Sequence, residues 1–461
     1  MDIKSILLKI GQKFTPEEYD DFESFTVSRL WKDYNDDCME KALVIKNKID
    51  SLDIKFPNGT VNKEYSASFT LPPEDASDLT VEGADKIGAE VEIDPETNTC
   101  NIRGVPAEPG DFEVKVTYKY PGWVPGKELL SRVFRIAVNP DPRTLWKDIP
   151  TPLDIEYYQP DAACDYVKVE AVDGIPQKDI VVASKRGRSH AHEGKPRDDH
   201  YKVKYLNDRA WYVMAVADGA GSAKYSRRGS EIACETAVEH CSAILSSDND
   251  FEEFIKMYQT DQKADNQKLL GDYIYQIVGN AAFKAHKAIN AEAAAKGTPP
   301  KDYATTLLLA VAKKFDFGWF IASFWVGDGA LCIYDKDRQY IKLMGTPDGG
   351  EFAGQTRFLT MPEIFSESKS FYGRLRVAIE PDFTALMLMS DGISDPKFET
   401  DANLNKVEKW DALWEDLAGN NEFKTKVDLT DDNPDAKDQL LEWMDFWSPG
   451  NHDDRTLAIL Y

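Results

Sequence analysis

Residues 211–231 read WYVMAVADGAGSAKYSRRGSE, and the pair Asp218-Gly219 inside that stretch decides how the chain is to be read. Seven residues with almost no polar atoms run into an aspartate and a glycine, the signature of a buried strand ending at a tight turn. Such a strand hides its body and leaves one carboxylate at its rim. The arrangement recurs at 383–390, FTALMLMS, which runs into Asp391-Gly392, and at 320–326, FIASFWV, which runs into Gly327-Asp328-Gly329. A further acidic pair, Asp453-Asp454, precedes an apolar run at 456–461. Carboxylates gathered at strand ends are what a hard divalent cation needs, because Mg²⁺ and Mn²⁺ take oxygen ligands.

The same motifs, in the same order, resemble those of the metal-dependent serine/threonine protein phosphatases of the PPM (PP2C) type. Asp198-Asp199 in GKPRDD comes first, then Asp218-Gly219 in VADGAGS and Thr305-Thr306 in ATTLLLAVA. Gly327-Asp328 in WVGDGAL, Asp391-Gly392 in LMSDGISD and Asp453-Asp454-Arg455-Thr456 complete the series. Each motif is weak alone; six in order are specific. The resemblance covers about 180–461, and the text GRSHAHEGKPRDD is most similar to a divergent bacterial branch.

The resemblance implies an α+β fold, an α-β-β-α sandwich of two antiparallel sheets flanked by helices. It also implies two Mn²⁺ or Mg²⁺ ions activating a water that hydrolyses phosphoserine or phosphothreonine, with a third, weaker ion as in many bacterial members. Asp199, Asp218 and Asp391 are the implied catalytic carboxylates. The implied metal ligands are Asp199, Asp218, the carbonyl of Gly219, Asp391 and Asp453, with Asp328 and Asp395 for the third ion. By position alone Asp453 and Asp454 are interchangeable; the family pattern Asp-Asn-x-Thr selects Asp453. The second member of the early pair, Asp199, is selected over Asp198 in the same way.

Two departures stand out. Eukaryotic members carry a histidine directly after Asp-Gly, where this chain has Ala220. The family's phosphate-gripping arginine has no unambiguous counterpart either; Arg186, Arg188 and Arg197 lie around its place, and arginine suits phosphate through its planar, two-pronged donor fork. These departures motivate an alternative, a regulatory binding protein on a pseudophosphatase fold, against which stands the retention of every metal aspartate. Hydrolysis of a small phosphorylated metabolite is a second alternative. A zinc site from His190 and His192 lacks any HExxH or Cys/His ligand spacing, and no GxxxxGK[ST] phosphate loop occurs.

Outward from this region, 461 residues suffice for two or three domains. A net charge of −25 argues against nucleic acid and anionic membranes as partners. Six scattered cysteines with no CxxC fit reduced thiols in a cytoplasmic protein. Residues 1–50 read as a helical segment with a start at Thr15-Pro16, its apolar Phe25, Leu30, Trp31, Met39, Leu43 and Ile45 serving as packing. Residues 51–140 show period-2 alternation at Phe112, Val114, Val116 and Tyr118 between turn clusters, which predicts a small β-sandwich. The run 94–116 resembles the immunoglobulin-like domains of bacterial multidomain proteins, and a protein partner is the expected business of that domain. Residues 141–178, which carry Pro142, Pro150, Pro152 and Pro160, read as a linker before the phosphatase-like domain at 179–461. Phosphorylated proteins and a cognate Ser/Thr kinase are the partners the resemblance implies.

Overall fold

The structure, a computed structural model, describes residues 5, 8, 9, 11, 13, 15–248, 250–348, 356–366 and 368–461. It divides into two units, Met1–Leu145 and Trp146–Tyr461.

The first unit opens with the helix Pro16–Asp50, whose start is a capping box. The Glu18 N–H donates to Thr15 Oγ1 at 3.3 Å, and the Thr15 N–H donates to the Glu18 carboxylate at 2.9 Å. Proline at the first helical position costs nothing, since its missing N–H has no partner there. The packing expected of this helix is corrected by its exposure: Phe25, Leu30, Trp31, Met39 and Leu43 all face solvent, and only Ile49 is buried. Seven strands follow: β1 Gly59–Thr60, β2 Tyr65–Thr70, β3 Ser77–Glu82, β4 Ala89–Asp94, β5 Thr99–Gly104, β6 Gly110–Lys119 and β7 Leu130–Asn139. They form one sheet in the order β1-β7-β6-β3 and another in the order β2-β5-β4. Alternating residues, such as Phe69, Ile102, Val114, Val116 and Ile136, meet in a shared core, as the period-2 pattern requires.

The second unit contains β8 Ala162–Val167, β9 Ile180–Lys185, β10 His200–Leu206, β11 Trp211–Ala217, β12 Leu307–Phe315, β13 Gly318–Val326, β14 Ala330–Asp335, β15 Tyr340–Gly345, β16 Leu375–Glu380, β17 Ala385–Met389 and β18 Arg455–Leu460. Two antiparallel sheets result, β10-β11-β12-β13-β16 and β15-β14-β17-β18-β9-β8. Three cores account for the nearly continuous apolar text of the central strands. Tyr212, Met214 and Val216 of β11 meet Leu386 and Leu388 of β17 between the sheets. Val213, Ala215 and Ala217, on the opposite face of β11, pack against helices such as Ser226–Ser247 and Asn280–Lys296. Met387 and Met389 turn outward to the helices Asp391–Phe398, Val407–Leu417 and Ala436–Trp443. With both faces of each sheet covered, polar alternation disappears from the sequence.

The linker reading of 141–178 is corrected in part. Residues 162–167 are the edge strand β8, paired along its whole length with β9. Its half-exposed AACDYV lacks the apolar density that marks the inner strands, so the prolines around it dominate the sequence reading.

Candidate active site

Strand register brings the acidic motifs to one end of the unit. His200 pairs with Ala217, so Asp199 before β10 and Asp218 after β11 leave the first sheet side by side. Leu307 pairs with Val326, which places Thr305-Thr306 beside Gly327-Asp328. In the second sheet Ala330 pairs with Met389 and Met389 with Leu457, so Asp328, Asp391 and Asp453 meet at the corresponding edge.

Asp218, Asp328 and Asp391 each place a carboxylate oxygen within 4.8 Å of the other two. Among the described residues no lysine, arginine or histidine forms an ion pair with any of the three. Removal from water pushes the Asp391 carboxyl up to about 7, and the charges of Asp453, Asp328 and Asp395 add to it. Asp218 is raised well above the ordinary range, first by burial, then by Asp391 and Asp199. Asp199 is raised by burial and by Asp454, against a 2.6 Å hydrogen bond that Thr456 Oγ1 donates to its Oδ2. Like charges held together without a basic partner are stable only with a cation or protons between them.

The donor set fits a hard divalent cation. Oδ1 of Asp391 and Oδ1 of Asp199 are both buried without a hydrogen-bond partner, which is where a metal or its water would bind. Asp395 lies close enough to Asp328 for that charge to raise its pKa after burial has done so. Asp453 accepts the Asp454 N–H at 2.8 Å and lies within 4.8 Å, ligand atom to ligand atom, of His190 and Asp454.

Backbone clamps hold these carboxylates. Thr306 Oγ1 accepts the Asp218 N–H at 2.8 Å, while the Thr306 N–H and the Thr305 hydroxyl both donate to the Asp218 carbonyl at 2.8 Å. At Gly219 a Cβ would stand 2.5 Å from the Asp198 carbonyl oxygen, so glycine is required by close packing of the two acidic loops. At Gly392 a Cβ would stand 1.9 Å from the Asp454 carbonyl oxygen. Ala220 is buried and donates its N–H to the Ala304 carbonyl at 3.0 Å.

Sequence reasoning missed the work of Asp454. Its carboxylate accepts the N–H groups of Gly187 and Asp198, both at 2.6 Å, and meets His190 Nδ1 at 3.0 Å. Burial alone would raise its pKa; His190 and these donors outweigh burial and hold it below the ordinary carboxylate value. For His190, burial opposes the charged form, but Asp454 and Asp198 raise its pKa to about 9. The Asp-Asp doublet carried the only sequence signal, and it does not say which member faces inward.

The three candidate arginines all have partners within the protein. Arg186 donates to the carbonyls of Ile149 and Lys195 and to Thr151 Oγ1, and pairs with Asp148 at 2.8 Å and Asp161 at 3.2 Å. Arg188 donates to the Phe446 and Asp445 carbonyls and lies over the Trp447 ring. Arg197 is 2% exposed and donates to the Ser184 carbonyl at 2.9 Å. Each guanidinium is engaged by acceptors of the protein. The His190-His192 pair does not form a metal site either, since His192 Nδ1 accepts the Lys147 N–H at 3.0 Å.

Among solved structures, the chain is similar to the serine/threonine phosphatase Stp1 from Staphylococcus aureus, at 12% identity over 64% of this chain and 98% of that one, TM-score 0.36. It is similar to serine-threonine phosphatase 2C from Toxoplasma gondii, at 16% identity over 66% and 99%, TM-score 0.39. The catalytic domain of the serine threonine protein phosphatase PstP, solved with two manganese ions, aligns at 14% identity over 62% and 97%, TM-score 0.35. A comparison with curated proteins finds no match. The sequence profile described as Protein phosphatase 2C matches residues 186–445. That match spans more than half of the chain and includes the carboxylates at 199, 218, 328 and 391, so the chain belongs to the protein phosphatase 2C family.

Proposed function

We propose that the unit Trp146–Tyr461 is a metal-dependent phosphatase that hydrolyses phosphoserine and phosphothreonine in proteins. The observation that carries this reading is the convergence of Asp218, Asp328 and Asp391 within 4.8 Å with no basic partner among the described residues. Divalent Mn²⁺ or Mg²⁺ bound there supplies a nucleophilic water at neutral pH and neutralises charge on the phosphoryl group. Asp199, Asp218, Asp391 and Asp453, with the Gly219 carbonyl, are the proposed ligands, and Asp328 with Asp395 holds a third, weaker ion.

The chain's own groups set the geometry. Thr456 pins one oxygen of Asp199 and leaves the other without a protein partner, free to bind the cation. Thr305 and Thr306 fix the Asp218 peptide, so the carboxylate needs little reorganisation during reaction. Free thiols at all six cysteines support a cytoplasmic setting, with a kinase supplying the phosphorylated substrate. The sandwich of the first unit supports a recognition module of immunoglobulin-like kind.

The test is release of phosphate from a phosphothreonine peptide by the full chain, with Mn²⁺ and with EDTA. Activity is expected only with metal, with a loss of 100-fold or more, on the order of 3 kcal/mol, in Asp218→Asn and Asp391→Asn. Turnover that persists in EDTA, or in both variants, removes the proposal. A pseudophosphatase would instead bind phosphopeptide without turnover at any metal concentration.

A further inference from the structure

The helix Pro16–Asp50 is the anomaly of the first unit. Its 35 residues carry nine of the 22 exposed large apolar side chains among the described residues. Val27, Leu30, Trp31 and Tyr34 stand at i, i+3, i+4 and i+7, hence on one face, with exposures of 54%, 60%, 63% and 46%. A concentration of this kind marks an interaction surface.

The charges on that stripe indicate what covers it. Between 17 and 23 lie five acidic residues and no base; between 41 and 48 lie Lys41, Lys46 and Lys48 and no acid. Asp20 sits seven residues before Val27, and Lys41 seven residues after Tyr34, so both belong to the same stripe. Turned end for end, the stripe matches itself: Asp20 faces Lys41 of a second copy, Val27 faces Tyr34, and Leu30 faces Trp31. A parallel copy would instead stack Asp20 on Asp20 and Lys41 on Lys41.

We propose that this protein forms a two-fold dimer through antiparallel pairing of the helices Pro16–Asp50, with Leu30 and Trp31 at the axis. A symmetric pair requires a self-complementary patch, and this stripe is one. The lysines already have partners within the chain, Lys41 with Asp37, Lys46 with Asp50 and Lys48 with Asp75. The first two are exposed on both sides, and such pairs are worth about 0–1 kcal/mol and exchange readily, while the Asp75 of the third is buried. The apolar centre supplies the affinity, and the charged ends set the direction.

The experiment is sedimentation equilibrium on the full chain, with circular dichroism to confirm that each variant keeps its helix and sheets. Because the four stripe positions are exposed, substitution there leaves the fold intact. The wild type is expected to be dimeric at micromolar concentration, and Leu30→Glu combined with Trp31→Glu to be monomeric. Asp20→Lys alone and Lys41→Asp alone should each weaken self-association by tenfold or more. An equimolar mixture of those two single variants should recover it as a heterodimer, and the double variant as a homodimer. A wild type that stays monomeric at 100 µM, or a dimer indifferent to the Leu30/Trp31 variant, overturns the proposal. A dimer that responds to that variant but shows no charge rescue overturns the antiparallel arrangement.

Discussion

Asp454 accepts the backbone N–H of Asp198 at 2.6 Å, a bond between residues 256 positions apart that ties the loop before β10 to the loop before β18. The neighbouring Asp453 is exposed, and its charge reaches Asp391, whose pKa it raises. Of the two adjacent aspartates, Asp454 holds the protein together, and Asp453 is the one proposed as a metal ligand.

Substitution should separate these roles. Asp454→Ala leaves the N–H groups of Gly187 and Asp198 without an acceptor and His190 without its counter-charge, a loss of roughly 3–5 kcal/mol. Asp453→Asn should melt within a few degrees of wild type while losing affinity for Mn²⁺. Thermal melting and calorimetric titration of the two variants check this, and a reversal of the two patterns would show the assignment to be swapped.

Gly219→Ala tests whether close approach, and not backbone freedom, dictates that glycine. The added methyl meets the Asp198 carbonyl oxygen at 2.5 Å and its Cβ at 3.0 Å, so the two acidic loops must part. A cost of about 1–3 kcal/mol is expected, as for other overpacked sites. Phosphatase activity should fall far more than stability does, which paired melting and turnover measurements would show.

The acidic cluster also predicts a pH dependence. Asp391 rises from an ordinary 3.8 to about 7 on folding, so the folded chain holds its proton more tightly than the unfolded chain. Stability from this group is fully present below about pH 4 and is lost as pH climbs toward 7. Metal replaces the proton. The stabilisation given by Mn²⁺, read as a rise in melting temperature over an EDTA control, should be larger at pH 7.5 than at pH 5. Equal gains at both values would mean that these carboxylates do not carry the metal.

Arg186→Ala distinguishes a structural arginine from a phosphate binder. Losing the bonds to Ile149, Thr151, Lys195 and Asp148 should lower the melting temperature by several degrees, on the order of 2–3 kcal/mol. KM for a phosphopeptide should stay within about twofold. A tenfold rise in KM at unchanged stability would restore the arginine to the substrate site.

Much of this was legible in the sequence because the central strands bury both faces. Strands covered on both faces read as apolar runs such as 211–217 and 385–389, and the glycine after each aspartate marks where the run stops. The edge strand β8 was not legible, since an edge strand with one face in solvent has no such density and proline dominates its surroundings. Nor could the sequence sort Asp453 from Asp454: one residue reverses the direction of a side chain, and the partners that decide it lie more than 250 positions away. The partners of the arginines were illegible for a related reason. Most of their acceptors are main-chain carbonyls, which every residue possesses and no motif records.

β18 occupies an inner place in its sheet, between β17 and β9, although it is made after every other strand there. Until residues 455–460 leave the ribosome, β15-β14-β17 and β9-β8 are two unjoined ribbons, and neither Thr456 nor Asp454 is available to position the early acidic loop. A nascent chain therefore cannot fix its early acidic loop until its last strand is in place: the order of synthesis makes the closing of the second sheet and the anchoring of Asp198 and Asp199 a single event.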